Sequence, residues 1–414
     1  MRQPVGSAYI FTVPPANMDL PMSLASFNPR VARLATPPIP SVFGWGRAYD
    51  GAAGPLIDLS QAAPGHPPHT DLLAWLAQAA GSAEACGYGA IEGELVLRQA
   101  YCTHLSDLYG ADFTPEQIHI TAGANQAFIC AAMALAGAGE QIALTDPFYF
   151  NHDTTLAMLG IETVALPCDS DNGFLPDLDR AEQVVKSGIK ALALVTPNNP
   201  TGAVYPKELL ADLYRLCRAH GVWLIVDETY RDFLNPGFGR PHELFLQPDW
   251  PEGLIQIYSF SKSFAIPGHR LAAICAGRPV VEQIAKIMDN LQICAPRAAQ
   301  IALAKALPVL DGWRAENAAE IARRTLALRQ AFDLLPQWHL ASIGAYFAFA
   351  RHPFGQAASI NVAEQLARRA GILAVPGGFF GAGQEGYLRL AFANVDCPTI
   401  ATLPDRLMAF NLAV

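Results

Sequence analysis

Short, continuously apolar runs alternate along this chain with longer stretches whose apolar residues recur at helical spacing. The runs at 118–121, 141–145, 191–196, 222–226, 255–259 and 271–276 predict strands. Several of them lack the in-and-out alternation of a half-exposed strand, as a sheet covered on both faces by helices requires. The stretches at 95–108, 125–135, 206–220 and 279–291 predict helices. Strand and helix in this order predict an α/β fold with a largely parallel sheet.

The two ends of the chain read differently. Residues 1 to about 56 are rich in proline and glycine, with Pro37-Pro38-Ile39-Pro40 and Gly51-Ala52-Ala53-Gly54-Pro55 as breakers. They predict an extended arm holding one short helix. The last hundred residues predict helix (317–334), strand (345–350), helix (361–369), strand (387–391) and a closing helix. At 414 residues the chain is longer than one hydrophobic core serves. The expected division is an N-terminal arm with part of a small domain over 1–75, a large domain over 76–306, and a small C-terminal domain over 307–414.

Charge narrows the class of partner. A net charge of −9 and a pI near 5.6 leave no electrostatic footprint for nucleic acid or for an anionic membrane. The eight cysteines are scattered without a C-x-x-C pair, and the ten histidines are equally dispersed. They predict small core side chains in a reducing compartment and no metal site. Pro14, Pro15, Asn17 and Asp19 interrupt the start too early for a signal peptide, and the apolar segments are too short to span a bilayer. A soluble, cytoplasmic protein is expected.

In open α/β sheets ligands bind beyond the carboxyl ends of the strands, and polar residues cluster there in this sequence. Lys262 follows the run at 255–259, between Ser259 and Ser261 on one side and Gly268 and Arg270 on the other. The plain reading is a surface lysine. Hydroxyls and a guanidinium, however, suit a phosphate, and an amine suits a carbonyl. A cofactor with both a phosphate and an aldehyde is pyridoxal 5'-phosphate, which a lysine holds as a Schiff base.

The other strand ends carry matching groups. Asp227 and Tyr230 follow 222–226; the aspartate either caps the next element or pairs with the protonated nitrogen of a pyridine ring. Thr196-Pro197-Asn198-Asn199-Pro200-Thr201-Gly202 reads as a turn. Gly123, Ala124 and Asn125 open a helix whose free amides and dipole suit an anion. Phe148-Tyr149-Phe150 is an aromatic stripe, of the kind more often found in a core. Arg389 stands inside the apolar run 387–391, where it demands a planar anion: a structural carboxylate or a substrate carboxylate.

These segments together resemble the class I and II aminotransferases. The resemblance rests on S-x-S-K at 259–262 with G-x-R at 268–270, D-x-x-Y at 227–230, N-P-T-G at 199–202, and Y-G-x-x-x-G-x-x-x-L-R at 88–98. It implies the pyridoxal-phosphate-dependent fold type I, with a seven-stranded, mostly parallel sheet between helices and a smaller α+β domain. It also implies an amino group moved from an L-amino acid to a 2-oxo acid by a ping-pong scheme.

By this resemblance Lys262 forms the internal aldimine and acts as catalytic base, with Asp227 and Tyr230 at the ring. Gly123, Ala124, Asn125, Ser259, Ser261 and Arg270 surround the phosphate, Tyr149 lies against the ring, and Asn199 contacts its phenolic oxygen. Arg389 grips the substrate carboxylate beside Asn199 and Ala62, where the family commonly has glycine. Tyr88 reaches the phosphate of a neighbouring subunit, which implies a homodimer with shared active sites. Aspartate-specific members carry a further arginine, contributed across the dimer, in the region 288–297, where this chain has Met288 and, nearby, Arg297; a neutral or aromatic donor is expected. Lyases and cyclases of the same fold use the same groups. Regulators built on the fold need a basic DNA-binding domain ahead of it, and the first 56 residues carry few basic residues.

Overall fold

A computed structural model of the chain describes residues 27–412, so that nearly half of the predicted arm, residues 1–26, lies outside the described residues. Beyond it Pro38, which read as a breaker, begins a helix instead, and Pro29 begins another. Pro29 opens Pro29–Ala32 and Pro38 opens Pro38–Arg47, at the position where a missing N–H costs nothing. The short strand β1 (Ile57–Asp58) follows.

The main sheet consists of β2 (Ile118–Thr121), β3 (Gln141–Asp146), β4 (Glu162–Pro167), β5 (Ala191–Val195), β6 (Trp223–Asp227), β7 (Leu254–Ser259) and β8 (Ala272–Ala276). Their order is β2-β8-β7-β6-β5-β3-β4, with β8 antiparallel to both neighbours and every other pair parallel. The apolar runs are explained by two cores, since successive side chains of a strand face opposite ways. Ala143, Leu192, Leu194 and Val226 pack into one. Ile142, Leu144, Ala191, Ala193 and Ile225 pack into the other.

β4 escaped the sequence reading because it is the edge strand: only Leu166 is buried, and Glu162 and Thr163 leave it a short apolar run. Four helices were also missed: Thr70–Ala80, Phe150–Leu159, Leu178–Lys186 and Arg297–Ala306. Leu178–Lys186 buries only Ala181 and Val185, which leaves little apolar signal.

The second lobe is a four-stranded antiparallel sheet, β12-β13-β10-β9, built from β9 (His339–Gly344), β10 (Phe347–Arg351), β12 (Val375–Pro376) and β13 (Tyr387–Ala391). The remaining strand, β11 (Ile372–Leu373), pairs in parallel with β1. Val42, Trp45, Ile57 and Leu59 therefore share a core with Leu328, Phe332, Phe347, Leu388 and Leu403. The predicted helix at 317–334 is longer, Asp311–Asp333, and the one at 361–369 becomes Ser359–Gln365 followed by a π-turn at Leu366–Ala370. Among the described residues no helix is long and apolar enough to cross a membrane.

Candidate active site

The carboxyl ends of β5, β6 and β7, the start of the helix after β2 and the loop after β1 enclose a cavity of about 250 Å³. Its floor is an anion cradle. Gly123 holds φ +91°, and a Cβ there would collide with the guanidinium of Arg270. Only glycine lets β2 turn so tightly into Ala124–Leu135. The first-turn amides of that helix have no acceptor within it, and Ala124 and Asn125 line the cavity.

β7 ends in a helix of only four residues, Phe260–Ser263. Ser259 caps it, accepting from the Ser261 amide at 3.3 Å. The buried Ser261 hydroxyl has no hydrogen-bond partner, although it lines the cavity with Ser259 and Arg270. Arg270 adopts φ +50°, a left-handed conformation that a side chain of this size takes only under constraint.

The Lys262 amine donates to the Ala62 carbonyl at 2.5 Å. Burial, and then the positive charges of Arg270 and Arg389, lower its pKa to about 8. Asp227 closes β6 and is buried. Its Oδ1 accepts from the amide and hydroxyl of Thr229 at 2.9 and 2.7 Å, while Oδ2 lies 3.5 Å from His152 Nε2. His152 stacks on Phe128 with ring centroids 3.8 Å apart. Neither Thr229 nor His152 was singled out from the sequence. Thr229 is visible as a hydroxyl two residues after the aspartate; His152 lies 75 positions away and gives no local signal.

Tyr149 faces the cavity, whereas Phe148 packs into the core under the sheet, which separates the two aromatic candidates. Tyr230 also lines the cavity, its ring against Tyr346 and Phe347. Burial, and then the neighbouring Tyr149, push its phenol well above the usual range.

Arg389 lies in β13 at 2 % exposure. It donates to Asn199 Oδ1 at 3.1 Å and to the Ser60 carbonyl. Its guanidinium carbon sits 5.1 Å from the ring centre of Phe347 and 5.2 Å from that of Phe380. Burial holds its pKa down at about 10. Among the described residues no carboxylate forms an ion pair with it, and its Nε has no partner. The structural-carboxylate alternative is thereby removed.

The remaining candidates fall apart in space. Ala62 lines the cavity beside Lys262. Tyr88 is 81 % exposed and stands outside the cavity of its own chain. Met288 is fully buried in the core. Arg297 is held by Glu94 Oε1 at 2.5 Å and by the carbonyls of Glu84 and Gly87.

An α/β enzyme with a lysine, a carboxylate and an anion cradle at adjoining strand ends is what fold and site together define. The family described as aminotransferase class I and II matches residues 55–407, and the chain belongs to it: it is an aminotransferase of a pyridoxal-phosphate-dependent family. An aromatic aminotransferase of Arabidopsis thaliana, ISS1, is 31% identical over 317 residues, 74% of this chain and 77% of that protein. An aspartate aminotransferase of Pyrococcus horikoshii is 27% identical over 302 residues, 72% and 76% of the two chains. The crystal structure of an aromatic aminotransferase from Pyrococcus horikoshii OT3 superposes with a TM-score of 0.79 at 26% identity, covering 85% of this chain and 94% of that one.

Proposed function

We propose that this aminotransferase takes its amino group from an L-amino acid with an uncharged, apolar side chain and passes it to a 2-oxo acid, with pyridoxal 5'-phosphate held in the cavity. The residues fit that cofactor. The orphaned Ser261 hydroxyl and the close approach of Gly123 to Arg270 leave a cradle shaped for a phosphate. Ala124, Asn125, Ser259, Ser261 and Arg270 would hold the phosphate, Tyr149 the ring face, Asp227 the ring nitrogen, and Asn199 and Tyr230 the phenolic oxygen. Tyr88, so exposed here, would serve the neighbouring subunit of a homodimer. Residues 76–306 would form the cofactor domain, and the described residues before 76 and after 306 the domain that bears Arg389. The free cysteines, most of them buried, suit a reducing compartment such as the cytoplasm.

When bound, the cofactor supplies an electron sink for negative charge at the substrate α-carbon. The chain supplies the rest. Arg389, already flanked by two rings and lacking a carboxylate, takes the α-carboxylate by a two-pronged hydrogen bond and so orients the α-carbon. Lys262, released from the Ala62 carbonyl, accepts the α-proton as a neutral amine; a pKa near 8 keeps a usable fraction of it uncharged at neutral pH.

The observation that carries the substrate class is the charge of the cavity wall. Its cations among the described residues are Lys262, Arg270 and Arg389, and each has one of the tasks above. The rest of the mouth is formed in part by Ile39 and Phe150, the latter ring backed by Phe380 at 5.5 Å. A second carboxylate on the substrate would lose its water without gaining a partner from this chain's own wall. Adding amino acids singly to the holoenzyme and following the visible band tests this. Phenylalanine or leucine bleaches it at lower concentration than aspartate; the reverse order overturns the substrate class.

A further inference from the structure

Behind the cavity lies a chain of buried polar groups that touches the lysine turn. Lys262 rides on the single turn Phe260–Ser263, and an isolated turn fixes its own direction poorly because nucleating a helix is unfavourable. Something outside the turn must hold it. The next residue, Ser263, is 2 % exposed. Its hydroxyl donates to Asp232 Oδ2 and lies 2.8 Å from the Tyr258 hydroxyl, which is itself 2.5 Å from Asp232 Oδ2. The other carboxylate oxygen, Asp232 Oδ1, is 3.6 Å from Arg314 Nη1. Arg314 belongs to the helix Asp311–Asp333, and its guanidinium sits 5.3 Å from the ring centre of Phe264, the residue after Ser263.

Asp232 therefore meets three things at once. It lies two residues after Tyr230 in the loop that leaves β6, it bonds the residue adjoining Lys262, and it pairs with an arginine on the helix that leads into the second lobe. Both Asp232 and Ser263 face away from the cavity, whose lining includes neither.

We infer that Asp232 is a positioning residue: it joins Arg314 to Ser263 and thereby sets the direction in which the turn presents Lys262. The inference rests on Lys262 being the residue that holds the cofactor. A lysine off by about 1 Å loses up to about a hundredfold in rate even where it still binds its partner. The role thus separates from stability: orientation affects turnover and the asymmetry of the cofactor's surroundings, whereas simple packing affects melting alone.

The test compares Asp232→Asn, Ser263→Ala, Arg314→Met and Arg314→Lys as holoenzymes. Three readouts are taken: kcat and KM for the amino donor, the melting temperature, and the circular dichroism of the visible band per bound cofactor. The expected result for Asp232→Asn and Ser263→Ala is a kcat lower by about 10- to 100-fold. KM stays within about twofold and the visible dichroism changes at full occupancy. Arg314→Met follows in the same direction, and Arg314→Lys recovers most of the loss. Variants that melt earlier yet keep wild-type kcat and dichroism overturn the inference. Where Asp232→Asn fails to fold, Ser263→Ala decides, because it removes one hydroxyl. A wild-type protein that gains no visible band with added cofactor overturns the assignment of Lys262 itself, a result distinct from unchanged variants.

Discussion

Two clusters of charge lie back to back at the ends of β6 and β7, and they are finished to different degrees. Asp227 and Glu228 are neighbours in sequence, yet the first faces the cavity and the second a buried ion-pair network, in which Arg231 Nε and His242 Nε2 lack hydrogen-bond partners. Glu228, at 1 % exposure, accepts from Tyr109 at 2.6 Å and from Gln256 at 2.8 Å, and it lies 3.6 Å from Arg231 and 3.4 Å from His242. Arg231 in turn lies 3.9 Å over the Tyr258 ring. On the cavity side three cations face one carboxylate, the Ser261 hydroxyl is unpaired, and Arg389 has no anion. A buried charge with partners specifies structure; a buried charge without one is waiting for a ligand.

The largest effect that separates the clusters is expected from Lys262→Ala. Turnover falls by at least about 10²- to 10⁴-fold, the range of a lost general base, while the melting temperature stays level or rises because a buried amine disappears. Glu228→Leu does the opposite: about 3–5 kcal/mol of stability is lost in denaturant unfolding, since buried Arg231 loses its ion-pair partner.

Acid gives a third comparison. Burial opposes the ionisation of Glu228, but His242 and Arg231 outweigh it and hold the carboxyl at about 2, below its ordinary 4.5. A carboxyl depressed by folding stabilises above its unfolded pKa, and that stability is lost as pH falls from about 4.5 towards about 2. The loss is on the order of 3 kcal/mol, and Glu228→Gln flattens this part of the curve of melting temperature against pH. Arg389→Lys keeps the charge but loses the planar fork, so kcat/KM falls by about 10- to 100-fold with little change in stability. Last, the cofactor-free protein captures pyridoxal phosphate faster as pH rises through about 8, where Lys262 loses its proton; a midpoint above 10 would contradict a buried amine.

Legibility in the sequence divides along the same line. Lys262, Asp227, Asn199 and Arg389 each follow or interrupt an apolar run, so the pattern that predicts the strands also marks them. The buried ion-pair network has no such mark. Tyr109 and Glu228 are 119 positions apart, and Asp232 meets Arg314 only because a helix of the second lobe crosses behind the lysine turn. In Asp227-Glu228 the D-x-x-Y spacing to Tyr230 marks the first carboxylate, and alternation along β6 turns the second to the opposite face. Pro38 misled for a local reason: at the first position of a helix proline starts what it would break three residues later.

The pairing of β1 with β11 has a consequence for synthesis. Ile57 leaves the ribosome roughly 300 residues before its partner Ile372. At roughly 5–20 residues per second the main sheet, complete at Ala276, forms while Arg389 is still untranslated. Val42, Trp45 and Leu59 meanwhile lack the core partners that come from Ile321 onward. The segment that will seat Ala62 beside the lysine is thus the one that waits longest for its partner, and the substrate's arginine is among the last parts of the site to arrive.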